Sequence, residues 1–376
     1  MNIIKKLAVF LWLVIGCLCG LTQAEIVKIN NLPVGRKFYI NDQGEIYTHH
    51  SNSSLKKYAA DGKELFIAGR AGEGPGDIKR IGWFDINPKD SLIYVTELMN
   101  GNRRITRFSS TTGKYVDLWP VQLDWLKWES FPIIQFDQQG NAYIQLENVI
   151  WSMYKSFRIG TIESYLVKFS ATGKKIKDVY HFSSKFMADQ DGKGNITIPY
   201  NNNVSWMIVK NFLYIRESSK DKIDIYDLNG QYIKGLKLPF KREKLTDEDL
   251  DIWEKGMRED PEFRQGIAQG WFDIKFWRNN LPFPEYKNIS GYKMYSDEKG
   301  NIYSQKASYN EDETANIWAK IDPVSGKTEL LTISKKYHLI GIKNNNFYFY
   351  QQLEDSEDED VDYVVLKVSA DSLKQL

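Results

Sequence analysis

The chain has 376 residues, with 50 Lys and Arg against 49 Asp and Glu, 42% hydrophobic residues and two cysteines. The near-neutral balance excludes a nucleic-acid binder that works through bulk positive charge, and a mean hydropathy of −0.47 excludes a polytopic membrane protein. The length suits two or three small domains or a single large all-β unit.

Residues 1–24 read as an export signal. Lys5 and Lys6 form a basic start, Leu7 to Leu21 is almost uninterruptedly apolar, and Thr22-Gln23-Ala24 offers small residues for cleavage after Ala24. The apolar run is too short and too close to the terminus for a membrane span. A rival reading takes Val14-Ile15-Gly16-Cys17 as a lipobox, with Cys17 lipidated and anchoring the protein to the outer membrane. Leu18, Gly20 and Leu21 continue the apolar run where a lipoprotein tether is polar, which favours cleavage. The mature chain then has no cysteine, because Cys17 and Cys19 both leave with the signal. Packing rather than disulfides must stabilise it.

Beyond residue 24, two turns alternate along the chain. The first is a D-x-x-G hairpin followed by Ile or Ala and Tyr or Thr. It occurs as Asp137-Gln-Gln-Gly140-Asn-Ala142-Tyr143, Asp191-Gly-Lys-Gly194-Asn-Ile196-Thr197 and Asp297-Glu-Lys-Gly300-Asn-Ile302-Tyr303. Asp42-Gln-Gly44-Glu-Ile46-Tyr47 looks one residue shorter, and the segments around Asp90 and Asn346 are degenerate. Gly and Asn supply the positive φ of tight hairpins, and the following apolar pair starts a strand. The second turn follows an alternating strand, as in Leu55-Lys-Lys-Tyr58 before Asp61-Gly62-Lys63. The runs ending at Phe108, Phe169, Tyr226 and Asp322 repeat it.

The fixed order of the two turns predicts an all-β fold, a six-bladed β-propeller of four-stranded antiparallel blades over residues 25–376. Its units begin near residues 36, 78, 129, 204, 284 and 337. Tyr363-Val-Val-Leu-Lys-Val368 lacks a following partner, and Ile26-Val27-Lys28-Ile29 is expected to supply it, closing the ring with the N-terminal strand. A pair of unrelated β-sandwich domains would also show many turn signals, but not in this order.

Ile67-Ala-Gly69-Arg70-Ala-Gly72-Glu-Gly74-Pro75-Gly76-Asp77, with Ile93-Tyr94-Val95 beyond it, resembles the glycine-rich linker and strand of NHL-type repeats. In particular the chain resembles the exported six-bladed β-propeller proteins of Bacteroidetes. The glycine motif occurs once here, and Ile78 stands where that family usually has Phe. The resemblance implies fold and export and carries over no catalytic residue.

In such blades both short turns lie at one end of the ring, so the long segments fall at the other. These are 48–54, 69–80, 97–104, 119–131, 147–163, 183–203, 240–283, 305–316 and 351–362, all expected as loops. An insertion over about 241–283, between the fourth and fifth units, is expected to be partly helical. Thr246 and Asp249 form a capping box, Leu250, Trp253 and Met257 follow at helical spacing, and Pro261 stops the run. Trp271, Phe272 and Trp277, with Trp125 and Trp128 of another long segment, are candidates for an aromatic binding wall. Packing of the insertion onto its neighbours is the competing reading. Arg70 and Arg103 belong to a basic group suited to an anionic glycan or partner.

Catalytic signals are thin. His49, His50, His181 and His338 lie in different units or side by side on a strand, without metal-ligand spacing, and no nucleophile elbow or phosphate loop is present. The acidic runs at 354–362 and 311–313 invite Ca²⁺, but neither has the ordered ligand-and-glycine spacing of a calcium loop, so no cofactor is expected. The favoured expectation is a non-enzymatic, monomeric binding propeller of the periplasm or cell surface. Its long-loop face would engage a protein, peptide or glycan, with no role for nucleic acid. The alternative is a propeller hydrolase, lactonase or lyase with a metal in the central channel.

Overall fold

The computed structural model describes residues 25–28, 37–97, 104–122, 133–154, 157–189, 195–200, 203–270, 273–288, 290–308, 313–352 and 363–375. Strand β1 (Glu25–Lys28) is followed by sheet I, β2 (Phe38–Ile40), β3 (Ile46–Ser51), β4 (Ser54–Tyr58) and β5 (Glu64–Ala68). A short parallel ribbon, β6 (Arg70–Ala71) with β7 (Asp77–Ile78), leads to sheet II, β8 (Ile81–Ile86), β9 (Leu92–Glu97), β10 (Ile105–Ser109) and β11 (Tyr115–Leu118). Sheet III has five strands, β12 (Ile133–Phe136), β13 (Ala142–Tyr154), β14 (Phe157–Phe169), β15 (Lys175–Asp189) and β16 (Asn195–Thr197). Sheet IV comprises β17 (Val204–Val209), β18 (Phe212–Glu217), β19 (Lys222–Asp227) and β20 (Tyr232–Lys237). Helices α1 (Asp247–Glu259), α2 (Pro261–Ala268) and α3 (Ile274–Asn280) intervene before sheet V, β21 (Ser290–Ser296), β22 (Ile302–Lys306), β23 (Ala315–Ile321) and β24 (Thr328–Ser334). Sheet VI is β25 (His338–Lys343), β26 (Asn346–Gln352) and β27 (Tyr363–Ser369), and a 3-10 turn over Ala370–Gln375 follows.

All six sheets are antiparallel with strands in sequence order, and β1 pairs with β27, Glu25 opposite Lys367 and Lys28 opposite Val364. The N-terminal strand thus completes the sheet that the C-terminal strand leaves open, and a potential exposed edge is covered. First strands meet in cyclic order: β8 touches β12, β12 touches β17, β17 touches β21, β21 touches β25, and β25 touches β2. The Lys37 ammonium, just ahead of β2, donates to the Phe84 carbonyl of β8 at 2.6 Å. The sheets therefore succeed one another about an axis, as in a β-propeller, with apolar side chains between each sheet and the next.

The repeat has a physical cause at the short-turn end. Asp137 Oδ1 accepts the Gln139 and Asn141 amides at 2.9 and 2.8 Å, and Asp297 takes Asn301 in the same way. Gly140 and Gly300 sit at φ of 82° and 90°, where a side chain is disfavoured. In the first unit the acceptor is Asn41, which takes the amides of Gln43 and Glu45. The turn read as shortened from Asp42 is full-length from Asn41, because Asn supplies the same side-chain oxygen.

In the first and third sheets the tyrosine after the turn then meets a cation across the sheet. Tyr47 lies opposite Lys57 and Tyr143 opposite Lys168, with ammonium-to-ring distances of 5.1 and 5.3 Å. Both members of each pair donate to one carbonyl of the next sheet, Ser110 for the first pair and Leu228 for the second. Trp119 Nε1 reaches the Ala171 carbonyl between sheets II and III. These recurrent residues therefore join neighbouring sheets as well as fill them.

Candidate functional site

Each first strand begins, and each second strand ends, at the end of the axis opposite the short turns. The inter-sheet connections and the helical insertion lie there too. Several of the segments expected as loops are largely strand: β3 and β4 occupy most of 48–54, β13 and β14 pair from Ala142 opposite Phe169 to Tyr154 opposite Phe157, and β15 follows β14 to Asp189. Trp151, Tyr154, Phe157, Ile159 and Ile162 favour extended backbone, which carries the ladder past the sheet.

The three helices pack on this extension. Thr246 caps α1, its side chain paired with Asp249 in a capping box, and α1 ends at Asp260. Pro261 stops α1 as expected and also opens α2, a position that needs no amide hydrogen. Asp273 caps α3 by accepting the Phe276 amide at 3.0 Å. Lys287 bonds Asp249 at 2.9 Å, Tyr200 reaches the Asp249 carbonyl at 3.0 Å, and Arg278 on α3 bridges to Asp251 and Glu254 of α1. Beneath lies a separate apolar cluster of Phe157, Ile159, Ala188, Ile196, Ile198, Trp277 and Leu281. Insertion and hairpin thus form one rigid canopy.

Trp277 is 1% exposed and stacks edge-on with Phe157 at 5.2 Å and Phe276 at 5.3 Å. It is part of the canopy's core. Trp271, Phe272, Trp125, Trp128, Arg103 and Cys17 lie outside the described residues, as do the acidic run at 354–362 and Glu311 and Asp312. Arg70 is exposed and bonded to Asp77 at 2.6 Å, while Asp77 also accepts the Gly74 amide at 2.9 Å. Arg104 binds the buried Glu97 at 2.7 Å and the Asp77 carbonyl at 2.6 Å. Lys79 pairs with Glu73. Arg70, Lys79 and Arg104 are consequently neutralised within the chain and hold the linker's shape.

At the axis the lining is cationic and aromatic. Lys37 lies 3.7 Å from Asp85 and 4.5 Å above the Trp83 ring. Burial pulls Lys37 below the usual lysine range and pushes the Asp85 carboxyl up, each opposed by the partner's charge. Arg216, 1% exposed, donates to the Lys293 carbonyl at 3.0 Å and to Ser304 Oγ at 2.8 Å, and burial pushes its guanidinium down to about 9. The Lys293 side chain is open to solvent, yet surrounding chain lowers its ammonium too. His338, on β25, stacks on Tyr350 at 4.6 Å, and Tyr350 stacks on Phe38 at 6.0 Å. Burial first, and then the Lys293 charge, hold His338 below its ordinary value.

Between sheets III and IV, Trp206 Nε1 donates to Gln145 at 2.6 Å, and Gln145 and Ser164 both donate to Glu147 at 2.6 and 3.2 Å. Gln145, Ser164 and Trp206 line a narrow cleft with Tyr180 and Phe182. Nearby, His181 and Ser183 bond Glu163 at 2.6 and 2.8 Å, so the serine's partner is a carboxylate and not the imidazole. Among the described residues no three His, Cys, Asp or Glu side chains converge as metal ligands. No helix among them is long and apolar enough to cross a membrane.

No protein-family model matches the sequence, and no curated protein shows significant similarity to it. Among solved structures, a Bacteroides fragilis protein described as a candidate exported protein shares the fold, with a TM-score of 0.54 and 12% identity over 92% of this chain and 94% of the other. A luciferin-regenerating enzyme aligns at 0.45 and 15% identity over 92% and 95% of the two chains. A DUF4221-family protein of Bacteroides vulgatus aligns at 0.45 and 12% over 92% and 97%. At these identities the likeness concerns the fold alone.

Sequence reading singled out none of Lys37, Arg216 and Lys293, and it noted His338 only as an isolated histidine. Their common signal is positional: Lys37 stands just ahead of a first strand, His338 at the start of one and Lys293 in the middle of another.

Proposed function

We propose that the protein is an exported, non-enzymatic binding propeller whose six sheets are six blades and whose canopy end engages a glycan, peptide or protein. The observation that carries this reading is the canopy. The outer part of a hairpin of two 13-residue strands and three helices share a core of their own, separate from the clusters between sheets. Ring closure requires none of it. A rigid accessory wall beside an axial recess is the usual setting for recognition, because it gives a ligand a preorganised surface on which little ordering is needed. The axial end carries ammonium and imidazole groups beside aromatic rings, a lining that suits recognition of polar ligands better than metal-assisted hydrolysis. Export follows from the leader at residues 1–24. The test is a glycan and peptide array probed with mature protein, beside turnover assays on lactone and glycoside substrates. Selective capture without turnover is the expected result, and turnover that persists through repurification, whether it survives metal chelation or is lost to it and restored by added metal, would overturn the non-enzymatic reading.

A further inference from the structure

The hairpin arm has a second face, turned away from the canopy's core. Tyr154 stands opposite Phe157 and Ser152 opposite Ile159, and Phe157 and Ile159 belong to that core. Side chains alternate along a strand, so Trp151 and Met153 of β13, Arg158 and Gly160 of β14 and Asp189 of β15 share the other face. The buried Asp189 pairs with Arg158, and the Arg158 guanidinium lies over the Trp151 ring, 5.3 Å from its centre. Gly160, directly opposite Trp151, has no side chain to lift the indole off the ladder. Three strands thus fix one indole in place, yet Trp151 stays 37% exposed beside Met153 at 71%. An aromatic ring held so firmly in water adds little to packing, but it offers contact area that needs no ordering when a ligand arrives.

The neighbours of the ring select the ligand. The Arg158–Asp189 pair carries no net charge, so the patch complements a neutral partner. Among the described residues Arg158 is hydrogen-bonded through one nitrogen, to Asp189, which leaves N–H donors beside the ring on a side chain half open to solvent. Glu147 shares the same strand face four residues along β13, about 13 Å away, where the face descends to the cleft of Tyr180, Phe182 and Trp206. A pyranose matches this pattern: its C–H face stacks on an indole, and its hydroxyls accept from a guanidinium and donate to a carboxylate. An apolar peptide side chain would instead seek a concave pocket, whereas Trp151 stands on a ladder three strands wide.

We infer that this face of the arm is a sugar-stacking subsite, with Trp151 as the platform for a neutral pyranose and Arg158, positioned by Asp189, bonding its hydroxyls. The inference rests on the binding reading above and narrows its ligand to a neutral glycan. Calorimetry on the mature protein with cellohexaose, mannohexaose and chitohexaose tests it, and at least one of the three binds. Trp151→Ala weakens that binding by about 10- to 100-fold, the usual loss when an aromatic anchor is truncated, and Trp151→Phe keeps most of it, with the melting temperature unchanged in both. Val324→Ala, at an 88% exposed apolar residue in a short turn at the other end, leaves binding unchanged. Failure of all three hexasaccharides to bind, an affinity that Trp151→Ala does not alter, or a melting temperature that falls with the affinity overturns the subsite. Capture of peptides alone on the array would then leave the binding reading standing without it.

Discussion

Replacing Trp277 by Ala separates a packed canopy from a loose aromatic surface. An indole that is 1% exposed removes about 200 Å² from water, worth about 5 kcal/mol at roughly 25 cal/mol per Å², and Ala recovers only a small part of this. Two edge-on ring contacts, at 5.2 and 5.3 Å, are lost as well. Against these, the buried Nε1 has no hydrogen-bond partner among the described residues, so the native site already carries a desolvation cost that Ala removes. The net expectation is about 3–4 kcal/mol, within the usual range for a buried tryptophan. Because the cluster is separate from those between sheets, the loss should appear as partial opening. Native-state hydrogen exchange on Trp277→Ala should show α3 and the 150–162 stretch of the hairpin exchanging together at lower free energy, with β26 and β27 unchanged. A loss below about 1 kcal/mol, or uniform weakening of all sheets, would refute the idea of a canopy with its own core.

Two further expectations concern the axis. Lys37→Met should cost about 3–5 kcal/mol in urea unfolding at pH 7 by leaving Asp85 buried and unpaired, and the cost should shrink on mild acidification as the raised Asp85 carboxyl protonates. Lys37→Met with Asp85→Asn should restore most of the stability. His338 gives a pH signature: its folded value lies below the ordinary 6.5, so the unfolded chain takes up this proton first as pH falls. Its contribution to stability is intact above about 6.5 and declines as pH drops from there toward the folded value, and His338→Gln should flatten that part of a melting-temperature profile.

The fold was legible because the turn chemistry is local. An Asp or Asn oxygen, a Gly with positive φ and a following Tyr lie within seven residues, so the sequence displays the unit directly. The first unit shows the same pattern only when an amide oxygen counts as an acceptor equivalent to a carboxylate, as Asn41 does. The β13–β14 arm was misread as loop because its outward residues, Ile150, Trp151 and Met153, are exposed and apolar, which breaks the alternation that marks a half-buried strand. Helix α3 was missed because its seven residues are too few for a periodic signal and its cap is a single Asp. The axial residues were illegible for a different reason. Lys37, Arg216, Lys293 and His338 are spread over some 300 positions, and nothing in the local sequence of any one distinguishes it from a surface charge.

The account stands on which end of the axis carries function. Hydrogen–deuterium exchange of the mature protein, with and without a ligand captured on the array, reads this directly. Protection should fall on the starts of β21 and β25 and on the 146–162 arm, while the short turns at 41–45, 137–141 and 297–301 stay unchanged. Protection confined to those short turns would contradict it.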